Sequence, residues 1–176
     1  LDVVRRKNVS VINPVGSGVI ENPGLIPFMP AIAKYFLKEE LLLPQIASWW
    51  CGQEKEKNYV LENLSKLVVK RIDRTNRESI YFGEQMSVKE LDALKKVIIE
   101  RPYRFVAQEH IHFSTAPNLT NESLEPRNVV ARAFCIASKD QYSVMPGGLV
   151  RVASDSETVR VSNQRGGTSK DLWILD

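Results

Sequence analysis

A lysine, Lys70, closes the apolar run Leu67-Val68-Val69. β-Branched residues suit a pleated, half-buried surface, so this run is expected as a strand that enters a core and ends on an ammonium. Two roles stay open for that ammonium. It snorkels into water, or it points into a cleft that holds a polyanion such as a nucleoside triphosphate. Two further charges stand out by strand alternation. Over Arg104–Phe113 one face carries Phe105, Ala107, Glu109 and Ile111, and in the next long strand one face carries Val130, Arg132, Phe134 and Ile136. A charge buried alone in such a row is strongly destabilising. Glu109 and Arg132 therefore either pair with each other or line a cleft above one sheet together with Lys70.

Other chemistry is weaker. His110 and His112 share a strand face, but no third residue is spaced to complete a zinc site. The stretch from Gln164 to Asp171, with Gly166-Gly167 and Lys170, resembles a phosphate loop only superficially. The Walker spacing is not met, and the apolar run 172–175 replaces the helix that should follow. A backbone nest for an anion and an ordinary hairpin both fit. Cys51 and Cys135 are not at metal-ligand spacing and lie among apolar residues, which suggests reduced core thiols of a cytoplasmic protein.

The totals narrow the classes. A length of 176 residues fits one medium domain or two small lobes, and 43% hydrophobic with 26% charged residues is ordinary for a globular chain. A net charge of +3, with scattered Lys and Arg, argues against a nucleic-acid partner. No apolar run approaches the roughly 20 residues needed to span a bilayer. The chain starts on Leu1 without a signal-peptide pattern, and is expected to be a segment of something longer.

The elements that must position these groups can be read in order. Val9–Asn13 reads as a short strand, followed by a tight loop through Gly16 and Gly18. Asn22-Pro23 reads as an N-cap with proline at the first helical position. The helix it starts runs on through Ile32, Tyr35, Phe36 and Leu37, and is apolar on most faces, so burial is expected. Trp49-Trp50-Cys51-Gly52 reads as an aromatic loop in the core or at a lobe interface. Residues 54–64 read as a surface helix with Val60, Leu61 and Leu64 inward. Loop 71–79 follows Lys70, and Ile80–Gly83 is a brief strand. Ser87-x-x-Glu90 is a capping box for a helix over Val88–Glu100, stopped by Pro102. Residues 117–121 read as a turn-rich connection. Val129–Ala137 and Tyr142–Met145 read as a hairpin, Gly147-Gly148 as a bend into 149–153, and 158–162 as a further strand. Helices crowd the first hundred residues and strands the rest. The expectation is an α+β fold with helices packed on a mainly antiparallel sheet, divided into a helix-rich segment 1–65 and a strand-rich lobe 66–176.

Several motifs in one order resemble a known family. They are Asn13-Pro-Val-Gly16-Ser-Gly18-Val-Ile-Glu21-Asn22-Pro23, Trp49-Trp50-Cys51-Gly52, Phe105–Ile111 with Ser114-Thr115-Ala116-Pro117, Met145-Pro-Gly-Gly-Leu149-Val-Arg151-Val-Ala153, and Gln164-Arg-Gly-Gly-Thr-Ser-Lys170-Asp171-Leu-Trp173. Together they resemble the bacterial circularly permuted ATP-grasp type 2 family, to which glutathionylspermidine synthetase is related, over essentially the whole chain. The chain looks like the C-terminal part of such a protein.

The resemblance implies an ATP-dependent carboxylate–amine or carboxylate–thiol ligase acting through an acyl phosphate. It further implies ATP and Mg²⁺ as cofactors, and small-molecule or peptide acids and amines as substrates. By similarity Lys70 grips the α- and β-phosphates, and loop 71–79 stands where a lid covers them. Gln108, Glu109, His110 and Ile111 match the hinge, where backbone of 109–111 reads the adenine edge. Arg132 and Arg151 face phosphate or the transferred carboxylate, and Asn13 resembles a metal ligand. Two departures are visible: loop 71–79 contains no glycine, and Val11 stands where an acidic metal partner is expected, leaving Asp73, Glu21 or an outside residue to supply it. The fragment alone is expected to be inactive, and to dimerise if cutting the fold exposes apolar surface. The alternative is a nucleotide-binding or scaffolding module of the same fold without chemistry. An edge lysine adds little to a core, so Lys70→Ala is expected to weaken ATP binding with little loss of stability.

Overall fold

A computed structural model of the chain describes residues 1–13, 15–73, 80–120, 123–138, 141–155, 161 and 166–175. It divides into two units, Leu1–His110 and Ile111–Asp176. Helices and two antiparallel sheets make it an α+β protein.

The first unit is organised around a strand whose first four residues are buried whichever face they point to. Strands β1 (Ser48–Trp50), β2 (Leu67–Arg71), β3 (Ile80–Phe82) and β4 (Phe105–Glu109) form one antiparallel sheet in the order β1-β4-β2-β3. Phe105, Val106, Ala107 and Gln108 are all buried. β4 is therefore a continuous inner run, and a reading that alternates inside and outside residues along it fails.

Antiparallel partners share a face, so register sorts the side chains. Leu67, Val69, Phe105 and Ala107 point to one side, where they join Cys51, Val60, Leu64, Leu94 and Ile98 in one core cluster. Helices supply that cover: α3 (Glu54–Asn63) brings Val60, and α4 (Val88–Glu100) brings Leu94 and Ile98. Fully burying such a side chain stabilises by about 1.5–3 kcal/mol.

Helix α4 begins and ends where its sequence says. Ser87 Oγ accepts from the Glu90 N–H at 3.4 Å while Glu90 Oε2 accepts from the Ser87 N–H at 2.7 Å. The bonds from Ser87, side chain first and backbone second, hold the Glu90 carboxyl below its usual range. A depressed carboxylate contributes stability above its unfolded pKa and loses it as pH falls through the folded one. Ser87→Ala should cost about 1 kcal/mol at neutral pH. Urea midpoints of variant and parent should converge as pH falls into the range where Glu90 protonates.

Cys51 lies in the core, and burial pushes its thiol up to about 12, the Lys57 charge opposing only part of that. Cys135 is exposed on β6 (Leu124–Ser138), against the expectation of two core thiols. A native-state thiol titration should label Cys135 and spare Cys51, because the thiolate is the reactive form.

The N-terminal region departs most from the sequence reading. Residues 9–13 form no strand. A short helix α1 (Asp2–Arg5) precedes them, and among the described residues they join no ladder. Asn22 does cap a helix, accepting from the Gly24 N–H at 2.8 Å, but Pro23–Phe28 is a 3-10 helix, and α2 (Met29–Leu37) takes over after it. Only Ala33 of α2 is buried, while Tyr35 and Phe36 are 70% and 75% exposed. The expected burial of this helix is not met, because no described element covers that face. Trp49 and Trp50 lie in β1 instead of a loop. Trp49 packs on Tyr59, and the Trp50 indole donates to the Tyr103 carbonyl at 3.1 Å.

The second unit is a sheet of four antiparallel strands in sequence order, β5 (Thr115–Leu119), β6, β7 (Gln141–Val152) and β8 (Thr168–Leu172). Residues 115–119 are an edge strand and not a turn, with Pro117 opposite Pro126. Proline tolerates that place because an edge strand needs fewer ladder donors. β6 and β7 make the expected hairpin but extend it, and Gly147-Gly148 lies inside β7 beside an irregularity opposite Ala133 and Cys135. The strand expected over 158–162 falls mostly outside the described residues. β8 ends at Leu172, so the apolar run 173–175 is not strand. Among the described residues no helix is long and apolar enough to cross a membrane.

Candidate functional site

Lys70 belongs to the side of the first sheet that faces away from helices α3 and α4. Ser48 pairs with Gln108, Gln108 with Val68, Val106 with Lys70, and Lys70 with Ile80. Period-two alternation then places Ser48, Gln108 and Lys70 together on that side. Lys70 Nζ donates to Gln108 Oε1, and Gln108 Nε2 donates to Ser48 Oγ at 3.1 Å. Gln108 is only 5% exposed, the one polar residue among the described buried positions. A buried amide must be hydrogen-bonded at both ends, and this one is.

Glu109 points to the other side of the sheet and is exposed. It does not share a face with Lys70. Arg132 is exposed on β6, in the other sheet, so neither charge is buried alone and the argument for their pairing lapses. The Glu109 N–H donates to the Ala47 carbonyl at 2.9 Å, which removes that donor from recognition of a base. His110 follows the strand. Its Nδ1 lies 3.0 Å from Glu84 Oε2, and its ring meets Phe82 edge-on at 6.1 Å. Ile111 begins the second unit, so the four residues 108–111 span the passage from one unit to the next. His112 lies beyond β4 and is exposed, so the two histidines do not share a strand face.

Behind Lys70 the chain is tied by charge. Asp73 accepts from Arg71 Nε and Nη2, both at 2.9 Å, and lies 3.3 Å from Arg104 Nη1. The Arg71 hydrogen bond, reinforced by both guanidinium charges, holds the Asp73 carboxyl below its usual range. Residues 74–79, the rest of the expected lid, lie outside the described residues.

In the second unit the two arginines come together. Val130 pairs with Arg151 and Arg151 with Ser169, while Arg132 pairs with Leu149 and Leu149 with Asp171. Arg132, Arg151, Ser169 and Asp171 therefore share one face, the arginines as diagonal neighbours about 7–8 Å apart along the backbone. Arg151 Nε is buried and has no hydrogen-bond partner among the described residues. Of the phosphate-loop-like stretch, 164 and 165 lie outside the described residues, and 168–171 belong to β8. Lys170 Nζ donates to the Pro117 carbonyl. Sequence reasoning missed Ser48, whose signal was its alternation with Trp50.

A Mg²⁺ ion takes one or two carboxylates and keeps several waters. Asn13 offers one exposed amide in a left-handed backbone (φ 62°), and Asp73 is engaged by two arginines. The described residues hold no group of three or more His, Cys, Asp or Glu side chains able to share a metal. By themselves they do not make a Mg²⁺ site.

Comparison with known proteins supplies the context for this geometry. A protein of Synechocystis sp., itself uncharacterized, is 33% identical over 175 residues, covering 99% of this chain and 36% of its own length. An uncharacterized protein of Mycobacterium leprae is also 33% identical, with 99% of this chain and 31% of its own covered. A Frankia alni protein provisionally named glutamate–cysteine ligase 2-3 is 33% identical over 174 residues, covering 99% of this chain and 20% of itself. This chain thus spans roughly a third of the length of the first two. The family model described as circularly permuted ATP-grasp type 2 matches residues 1–153. The chain belongs to the circularly permuted ATP-grasp type 2 family.

Proposed function

We propose that the chain is the nucleotide-binding part of an ATP-dependent ligase that joins a carboxylate to an amine or thiol through an acyl phosphate. One observation carries the reading: a half-buried lysine near the end of β2, hydrogen-bonded to a buried amide, in a chain of this family. Catalysis of phosphoryl transfer rests on positioning and charge neutralisation, and Lys70 supplies one positive charge for the triphosphate. Backbone groups of 109–111, other than the Glu109 N–H, read the adenine edge. Arg132 and Arg151 take a phosphate or the substrate carboxylate on the second sheet, where they share one face.

The Frankia relative is named as a ligase of glutamate and cysteine, which favours small-molecule acids and amines as substrates. Mg²⁺ would accompany ATP, neutralising phosphate charge, with Asn13 offering one oxygen and carboxylates from elsewhere completing its shell. Titration calorimetry of ATP against the protein tests the nucleotide reading. Release of ADP and phosphate that depends on an added acid and amine tests the ligase. ATP binding with no acceptor-dependent turnover across amino-acid and polyamine panels would instead favour a non-catalytic nucleotide-binding module, the reading that the glycine-free loop 71–79 supports.

A further inference from the structure

Strand pairing in the second sheet sets Arg132, Leu149 and Asp171 in one row across β6, β7 and β8, and Val130, Arg151 and Ser169 in the next. Arg151 is thus a diagonal neighbour of both Arg132 and Asp171, about 7–8 Å from each along the backbone. Glu125, Arg127 and Lys170 fall on the other face by alternation. Among the paired residues of β5 to β8, the charges on this face are therefore two guanidiniums and one carboxylate. Arg132 and Asp171 are exposed and Arg151 is half-buried. Among the described residues no ion pair joins Asp171 to either arginine.

Such a set discriminates among anions. A phosphate would gain from the guanidiniums and be repelled by Asp171, whereas a ligand that also carries an ammonium turns that repulsion into attraction. Guanidinium matches carboxylate geometry bidentately, so two carboxylates and one ammonium are the charge complement of this face. We propose that it binds a dicarboxylic α-amino acid, with Arg132 and Arg151 on the carboxylates and Asp171 on the ammonium. The inference names a substrate class for these arginines, and rests on the reading above for their facing substrate.

Titration calorimetry of the protein with L-glutamate, L-aspartate, glutarate and inorganic phosphate, with and without a non-hydrolysable ATP analogue, tests it. At least one of the two amino acids should bind. Glutarate, which lacks the ammonium, should bind about 10–100-fold more weakly than L-glutamate if L-glutamate is the one taken, the range for a hydrogen bond to a charged group. Asp171→Asn should weaken the amino acid by a similar factor and leave glutarate no weaker, since it removes a repulsion. Arg132→Gln should weaken amino acid and glutarate alike, because both keep their carboxylates. Amino-acid binding at parental affinity in Asp171→Asn would overturn the proposal. So would binding of inorganic phosphate, and of neither amino acid, through the arginines, and the ligase reading would then stand. Amino-acid binding in the expected pattern with no acceptor-dependent release of ADP would keep this site and remove the ligase. Should Asp171→Asn fail to fold, the comparison of amino acid with glutarate on the parent still decides.

Discussion

Lys70→Met is expected to weaken ATP binding by about 10–100-fold, the equivalent of a hydrogen bond to a charged group. Adenosine affinity should be unchanged. The same substitution should also cost stability, and here the structure alters the expectation drawn from sequence. An edge lysine that merely snorkels can be lost at little cost, but Lys70 Nζ satisfies the Oε1 of an almost fully buried glutamine. Leaving a buried acceptor without its donor costs about 1–3 kcal/mol, and the lower part of that range applies because Lys70 is only half-buried and water can follow its removal. Urea denaturation and calorimetry on one preparation separate the two effects. ATP binding at parental affinity would remove Lys70 from the site.

The largest effect on folding is expected from a position with no part in the chemistry. A methyl group added at Gly83 would lie 2.0 Å from the Leu64 carbonyl oxygen and 2.9 Å from that of Leu67. Both obstacles are backbone, and both residues belong to the core cluster between the sheet and the helices. A flexible side chain could swing aside, whereas these carbonyls can move only with the core. Gly83→Ala should therefore destabilise the first unit by about 3 kcal/mol, the upper end for overpacking, a drop of about 15 °C in Tm for a domain of this size. Gly18→Ala is the control, since nothing lies within 4 Å of its added methyl. A Gly83→Ala protein melting within a degree or two of the parent would show that the segment before β2 yields.

These two positions differ in how they could be known. The capping box, helix α4 from Val88 to Glu100, and the strands carrying Lys70 and Ile80 were legible because their determinants are local: a cap, a 3.6-residue period, a short β-branched run. The order of motifs along the chain carried the family as well. What sequence could not tell was which face meets what. Val9–Asn13 has the composition of a strand, but β propensity needs a partner ladder, and none includes it among the described residues. Pro117 reads as a turn until an edge strand gives it a place. Glu109 and Lys70 look like candidates for one cleft until the register β2–β4 sets them on opposite faces.

By itself, then, the sequence determined the local elements and, through the order of its motifs, the family, because these depend on residue types whose effects reach only a turn or a strand. The tertiary structure alone decided that Ser48, Gln108 and Lys70 meet, and that Arg132 and Arg151 share a face. Strand pairing joins residues tens of positions apart, and one step of register would turn every one of those side chains to the other side.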